Sequence, residues 1–374
     1  MTRGEVYASC KYIACGGWVG ERMSERKSFD YISDMKTLAL IGVVLGHCLL
    51  FYAGNPYFPE TADFTSKGAV WITTFTDASL ISGFVFCSGF LFANSIKRRD
   101  RSIPEFLAGR SKRLIMTYYL YGALWLVPLY TFFNIKCFGR PDNAGYLTGY
   151  KYMLLGCFSD HLWFLWLLFW VSVIFILMKK MITKRFLPLL FLISVAAGLA
   201  VQLWLADFPY FKLSQTGPYF ICYFLGILTF NYIDKAEKLP TPVLFILAAA
   251  FFAGSMFQHK AAETHFLLVW LCDICGIYTG FCFFMAVGRF KAFGRFRASR
   301  LWQYTREHSM QMYLFTCPFV YLYFRLIYPL IGDCTYACVA ANFVMTMLTL
   351  YAAVWVQDKV KIKCKELTRK NAQE

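Results

Sequence analysis

The chain has 374 residues, of which 58% are hydrophobic, 20% aromatic and only 16% charged, with a mean hydropathy of +0.48 and a formal net charge of +16. Soluble domains carry about 25% charged residues, so this composition excludes an ordinary soluble enzyme; long apolar runs recurring as far as residue 357 also exclude one cleavable leader as their source. The positive charge does not call for nucleic acid, because basic loops on the cytoplasmic side and attraction to anionic lipid account for it.

In chain order, residues 1–28 read as a polar cytoplasmic tail, 29–357 as a membrane domain and 358–374 as a basic cytoplasmic tail. Met23 opens the run Met-Ser-Glu-Arg-Lys-Ser-Phe-Asp and is a candidate start of the native product. Ten apolar segments follow, at about 37–53, 69–94, 114–135, 161–178, 186–206, 219–234, 242–257, 264–288, 309–328 and 334–357. With the N-terminus inside, 31 of the 38 Lys and Arg fall on the cytoplasmic side and 6 outside; the last, Arg325, lies within the ninth segment. That asymmetry predicts an all-α, ten-helix membrane bundle with both termini cytoplasmic.

The first segment is apolar from Leu38 to Ala53 except for His47, and Lys36 stands just before it. Eleven residues make about three helical turns, so the two side chains lie about 20° apart around the axis and about 16 Å apart along it. An ionisable group at that depth is a functional candidate, and imidazole is suited to moving a proton near neutral pH. The alternatives are a snorkelling lysine with a histidine hydrogen-bonded in the bundle, or a general base facing an anionic ligand from the cytoplasm. Asp34 lies about 140° away from His47 and is expected to face elsewhere.

The second segment contains Ser88-Gly89-Phe90 near its inner end, and the basic loop after it contains Arg110 and Arg113. Residues three apart share a helix face, and two guanidinium forks suit phosphate. The competing reading is plain positive-inside charge. His161-Leu-Trp163 opens the fourth segment, as an interfacial aromatic belt or as part of an external acceptor site. Asp77, Asp273 and Arg325 are further intramembrane charges, with an Asp77–Arg325 pair as one arrangement. A His47, Asp77 and Arg325 proton relay would suit a secondary transporter, but no internal repeat relates the two halves. Cys272 and Cys275 form a CxxC inside an apolar run, and Cys137 and Cys157 share one external loop and are candidates for a disulfide. No spacing in the sequence suggests a metal cluster.

These residues together resemble the acyltransferase-3 family of integral membrane O-acyltransferases, over about residues 29–357. The resemblance rests on Lys36 and His47 with ten residues between them, Ser88-Gly89-Phe90, Arg110-Ser-Lys-Arg113, His161-Leu-Trp-Phe-Leu and Phe224-Leu-Gly226. In the ninth segment Tyr313-Leu-Phe-Thr316-Cys-Pro318 carries threonine where the family often has histidine. The resemblance implies a ten-helix enzyme of the inner (plasma) membrane. It would move an acyl group, most simply acetyl, from cytoplasmic acyl-CoA to a hydroxyl of an envelope carbohydrate or lipid-linked saccharide, without a metal. His47 would be the base. Lys36, Arg110, Arg113, Ser88 and Gly89 would bind the donor, and His161 and Trp163 would lie toward the acceptor.

Overall fold

The computed structural model describes residues 29–54, 61–135, 145–157, 162–258, 265–332 and 334–371, apart from a few side chains. The N-terminal tail with Met23, together with Tyr57, Cys137, Asp142, Asp160, His161 and the side chain of Asp77, lies outside the described residues.

The described residues are helical and contain no strand. In chain order the helices are α1 (Asp30–Leu50), α2 (Lys67–Arg98), α3 (Ile103–Tyr121), α4 (Val127–Phe132), α5 (Tyr146–Leu154), α6 (Trp163–Leu177), α7 (Leu187–Trp204) and α8 (Tyr219–Asn231). There follow α9 (Ile233–Ala236), α10 (Thr241–Ser255), α11 (Phe266–Val287), α12 (Lys291–Arg297), α13 (Arg300–Ile331) and α14 (Thr335–Asn371). Seven are long and apolar enough to cross a membrane: α1, α2, the α3–α4 rod, α7, α11, α13 and α14. The expected spans at 161–178, 219–234 and 242–257 are shorter apolar helices, α6, α8 and α10, of 15, 13 and 15 residues. At 1.5 Å per residue these reach only about 20–23 Å, short of a hydrocarbon core of about 30 Å.

Two boundaries differ from expectation. The stretch carrying Arg110 and Arg113 is not a loop but part of α3, which Ser102 caps by accepting from the Glu105 N–H at 3.3 Å and which has Pro104 in its first turn. The expected basic tail continues α14 as helix to Asn371. Between α3 and α4 the rod passes through a π-helical turn, Gly122–Leu126, in which the Val127 N–H reaches back to the Gly122 carbonyl. Pro128 follows, and its ring cannot accept the Leu124 carbonyl in a tight α-turn, so the wider turn relieves the clash.

Helix α1 packs through small residues. A Cβ on Gly42 would stand 2.8 Å from Leu80, and one on Gly46 would stand 3.4 Å from Thr76, both on α2. Met35 fills the space beside Gly83 on α2 and Gly280 on α11. This small-xxx-small spacing brings two helices into close contact without any hydrophobic drive from water. It also sets α1 and α2 antiparallel, with the Lys36 end of α1 beside the later half of α2. Helix α2 packs in turn on α8 and α11.

Candidate active site

Three stripes, each a reading of the 3.6-residue period, converge on one cavity of about 540 Å³. From α1 come Lys36, Val43 and His47. From α2 come Ile81, Phe84, Ser88, Leu91 and Ser95; from α3, Phe106, Arg110, Arg113 and Leu114. The start of α6 adds Trp163 and Phe164, α13 adds Ser309, Met310 and Tyr313, and Arg101 joins from the α2–α3 connection. The volume falls in the range of small-molecule and cofactor sites, about 300–1,000 Å³.

His47 is oriented by its own helix. Nδ1 lies 2.7 Å from the Val43 carbonyl oxygen. A carbonyl only accepts, so Nδ1 carries the hydrogen, and in the neutral ring Nε2 is the basic nitrogen. Ser88 is also tied locally: its hydroxyl donates to the Phe84 carbonyl at 2.9 Å, which leaves the oxygen lone pairs as acceptors toward the cavity. Arg110 lies over the Phe106 ring at 5.3 Å, holding the guanidinium in place at the wall.

Four cationic side chains, Lys36, Arg101, Arg110 and Arg113, line this one space, and no carboxylate is among the described residues lining it. The acid nearest in sequence, Asp34, points away as its helical phase requires. It is fully buried, meets Arg297 at 2.7 Å and accepts from the Trp302 indole N–H at 3.0 Å. Like charges gathered on one wall raise the local positive potential, so the arrangement suits an anionic ligand.

Six sequence candidates therefore meet: Lys36, His47, Ser88, Arg110, Arg113 and Trp163. Gly89 does not line the cavity. It sits at the crossing of α2 with α8, where an added Cβ would collide with the Tyr223 carbonyl, and Gly226 answers it, its own Cβ position blocked by the Phe86 carbonyl and the Phe90 nitrogen. Both motif glycines serve close backbone packing, which moves Gly89 from the donor site to the bundle. His161 lies outside the described residues. Thr316 is buried away from the cavity and donates to the Met312 carbonyl at 2.8 Å, whereas Tyr313 of the same motif lines it. Arg101, Ser95, Ser309 and Tyr313 were not singled out as site residues by sequence; Ser95 was discoverable, standing seven residues after Ser88 on the same stripe.

Arg325 and Asp273 lie elsewhere. Arg325 donates to the Phe133 and Asn134 carbonyls at 2.7 and 2.9 Å, just past α4. Asp273 is buried on α11 and accepts from Gln258 at 3.5 Å. Cys157, Cys272 and Cys275 are free thiols. Among the described residues no three His, Cys, Asp or Glu side chains gather in a way that could hold a metal.

Fold and cavity define a multi-pass membrane protein whose interior pocket joins a histidine side chain to a cationic wall. Residues 29–357 match the family model described as an acyltransferase domain, that of the acyltransferase-3 family, and the chain belongs to that family. It is a membrane acyltransferase, so group transfer takes precedence over the transporter alternative. No curated protein and no solved structure matches the chain.

Proposed function

We propose that the protein carries an acyl group, acetyl in the simplest case, from a cytoplasmic acyl-CoA to a hydroxyl of an envelope carbohydrate. The observation carrying this reading is the single cavity in which His47 shares walls with Lys36, Arg110 and Arg113. The cations hold the donor's phosphates. The Ser88 oxygen accepts from an amide N–H of its pantetheine arm, and the thioester lies at His47. Nε2 of His47 takes the proton from the acceptor hydroxyl as the oxygen attacks the thioester carbonyl. The C–S bond breaks, and the imidazolium returns the proton to the departing thiolate. Trp163 lines the same cavity and would offer its ring face to a sugar. The charge asymmetry supports ten membrane crossings in the inner membrane with both termini inside.

The test is acetyl-CoA binding and turnover by the purified protein in detergent, wild type beside His47→Ala and Lys36→Ala. The reading expects His47→Ala to bind the donor and release no free CoA, and Lys36→Ala to bind it weakly. Equal CoA release by His47→Ala removes histidine as the base. Absence of any acyl-CoA binding by the wild type removes the donor assignment.

A further inference from the structure

The connection between α2 and α3 is tied down at every residue. The Arg99 N–H closes α2 on the Ser95 carbonyl at 3.0 Å, and its guanidinium meets Glu105 at 3.4 Å. Lys179, just past the end of α6, donates to the Asp100 carboxylate and to the Arg101 carbonyl, both at 2.7 Å. Ser102 caps α3. The Lys179 side chain is only 18% exposed although Asp100 is 88% exposed, so the lysine holds the connection from its inner side. What the connection presents is the Arg101 side chain, which lines the cavity and whose guanidinium has no hydrogen-bond or ion-pair partner among the described residues.

The position of Arg101 along the cavity carries the inference. Gly46 lies opposite Thr76 and the tip of Met35 reaches Gly83, so His47 marks one end and Lys36, about 16 Å from it along α1, comes a little over halfway. From the level of Thr76 to Ser95 is about 28 Å of helix at 1.5 Å per residue, and Arg101 lies beyond. An acyl-CoA is a long, unevenly charged rod: thioester, neutral pantetheine arm, pyrophosphate, then a ribose with a 3′-phosphate at the far end. With the thioester at His47, the Lys36, Arg110 and Arg113 group falls on the pyrophosphate, and a further fixed cation is needed farther out.

We propose that Arg101 binds the ribose 3′-phosphate of the donor and that Lys179 positions it by holding Asp100 and the Arg101 carbonyl. This rests on the acyl-CoA reading above. The same guanidinium would also suit a lipid phosphate, so the experiment separates the two sources.

Dissociation constants for CoA and for 3′-dephospho-CoA are measured by calorimetry on the full chain in lipid-free detergent. A charge-assisted pair at this site predicts that the wild type prefers CoA by about ten- to a hundredfold. Arg101→Gln should weaken CoA binding by that factor and abolish the preference. Lys112→Gln removes the same charge from an exposed neighbour outside the cavity and should leave the preference intact. Lys179→Ala should narrow the preference, and Lys179→Arg should restore it in part. Equal wild-type affinity for the two ligands, or an undiminished preference in Arg101→Gln, overturns the proposal while leaving CoA as the donor. An equal loss of preference in Lys112→Gln overturns it in favour of bulk charge. Arg101-dependent binding of a short-chain phosphatidic acid, with a CoA preference that Arg101→Gln leaves unchanged, overturns the proposal and assigns the site to a lipid headgroup. If neither CoA nor its dephospho form binds, the donor reading itself has failed, and this proposal with it.

Discussion

At the scale of single residues, the proposed chemistry depends on which atom of His47 faces the cavity. Its Nδ1–H is committed to the Val43 carbonyl four residues back, so helical geometry alone sets the tautomer. His47→Gln therefore leaves a group of similar size that cannot take a proton. Turnover should fall by about 10²- to 10⁴-fold with donor affinity nearly unchanged, as checked by single-turnover kinetics beside equilibrium binding. Asp100 gives a pH prediction. The hydrogen bond and charge of Lys179, with Lys180 adding a little, hold its carboxyl below the ordinary carboxylate range. A lowered carboxyl contributes above its ordinary pKa and loses that contribution as pH falls through the lowered one. The clamp should thus persist through neutral and mildly acidic solution. Asp100→Asn should weaken the CoA preference throughout that range, and its difference from wild type should shrink only in strong acid. A titration of the CoA to dephospho-CoA affinity ratio in both proteins measures this.

At the scale of helices, two contacts hold the walls in register. The buried Asp34 carboxylate, two residues before Lys36, joins α1 to Arg297 of α12 and to Trp302 of α13. Removing one member of a buried ion pair strands the other charge, which costs about 3–5 kcal/mol. Arg297→Met should lower stability by about that much, and Asp34→Leu with Arg297→Met should recover most of it, as read by denaturant unfolding in detergent. The second contact is the α2–α8 crossing at Gly89 and Gly226. A side chain at either meets backbone rather than a movable side chain. Gly89→Ala should cost about 1–3 kcal/mol by overpacking, seen as a lower midpoint of thermal unfolding, while its effect on donor affinity should be indirect and smaller than that of Lys36→Ala. The stripes on α1 and α2 were legible beforehand because a helical period is a local property of the chain. The role of Gly89 was not, because a Ser-Gly-Phe reads the same whether the glycine faces a ligand or a neighbouring backbone.

At the scale of the molecule, the charge distribution predicts both termini inside. A C-terminal fluorescent fusion should glow and a C-terminal alkaline phosphatase fusion should stay inactive; the reverse pair of results would place the C-terminus outside and overturn that orientation. Composition and the spacing of apolar runs determined by themselves that this is a helical membrane protein. They also determined that Lys36 and His47 share a stripe, and that Asp34 turns away from it, since each follows from residues within a few turns of one another. Only the tertiary structure decided which stripes face a common space. It placed Arg101 and Tyr313 in that space, returned Gly89 to a helix crossing and paired Asp34 with residues more than 260 positions away. Those choices depend on how closely two helices can approach, and that is set by small side chains meeting across the bundle, which no window of sequence contains together.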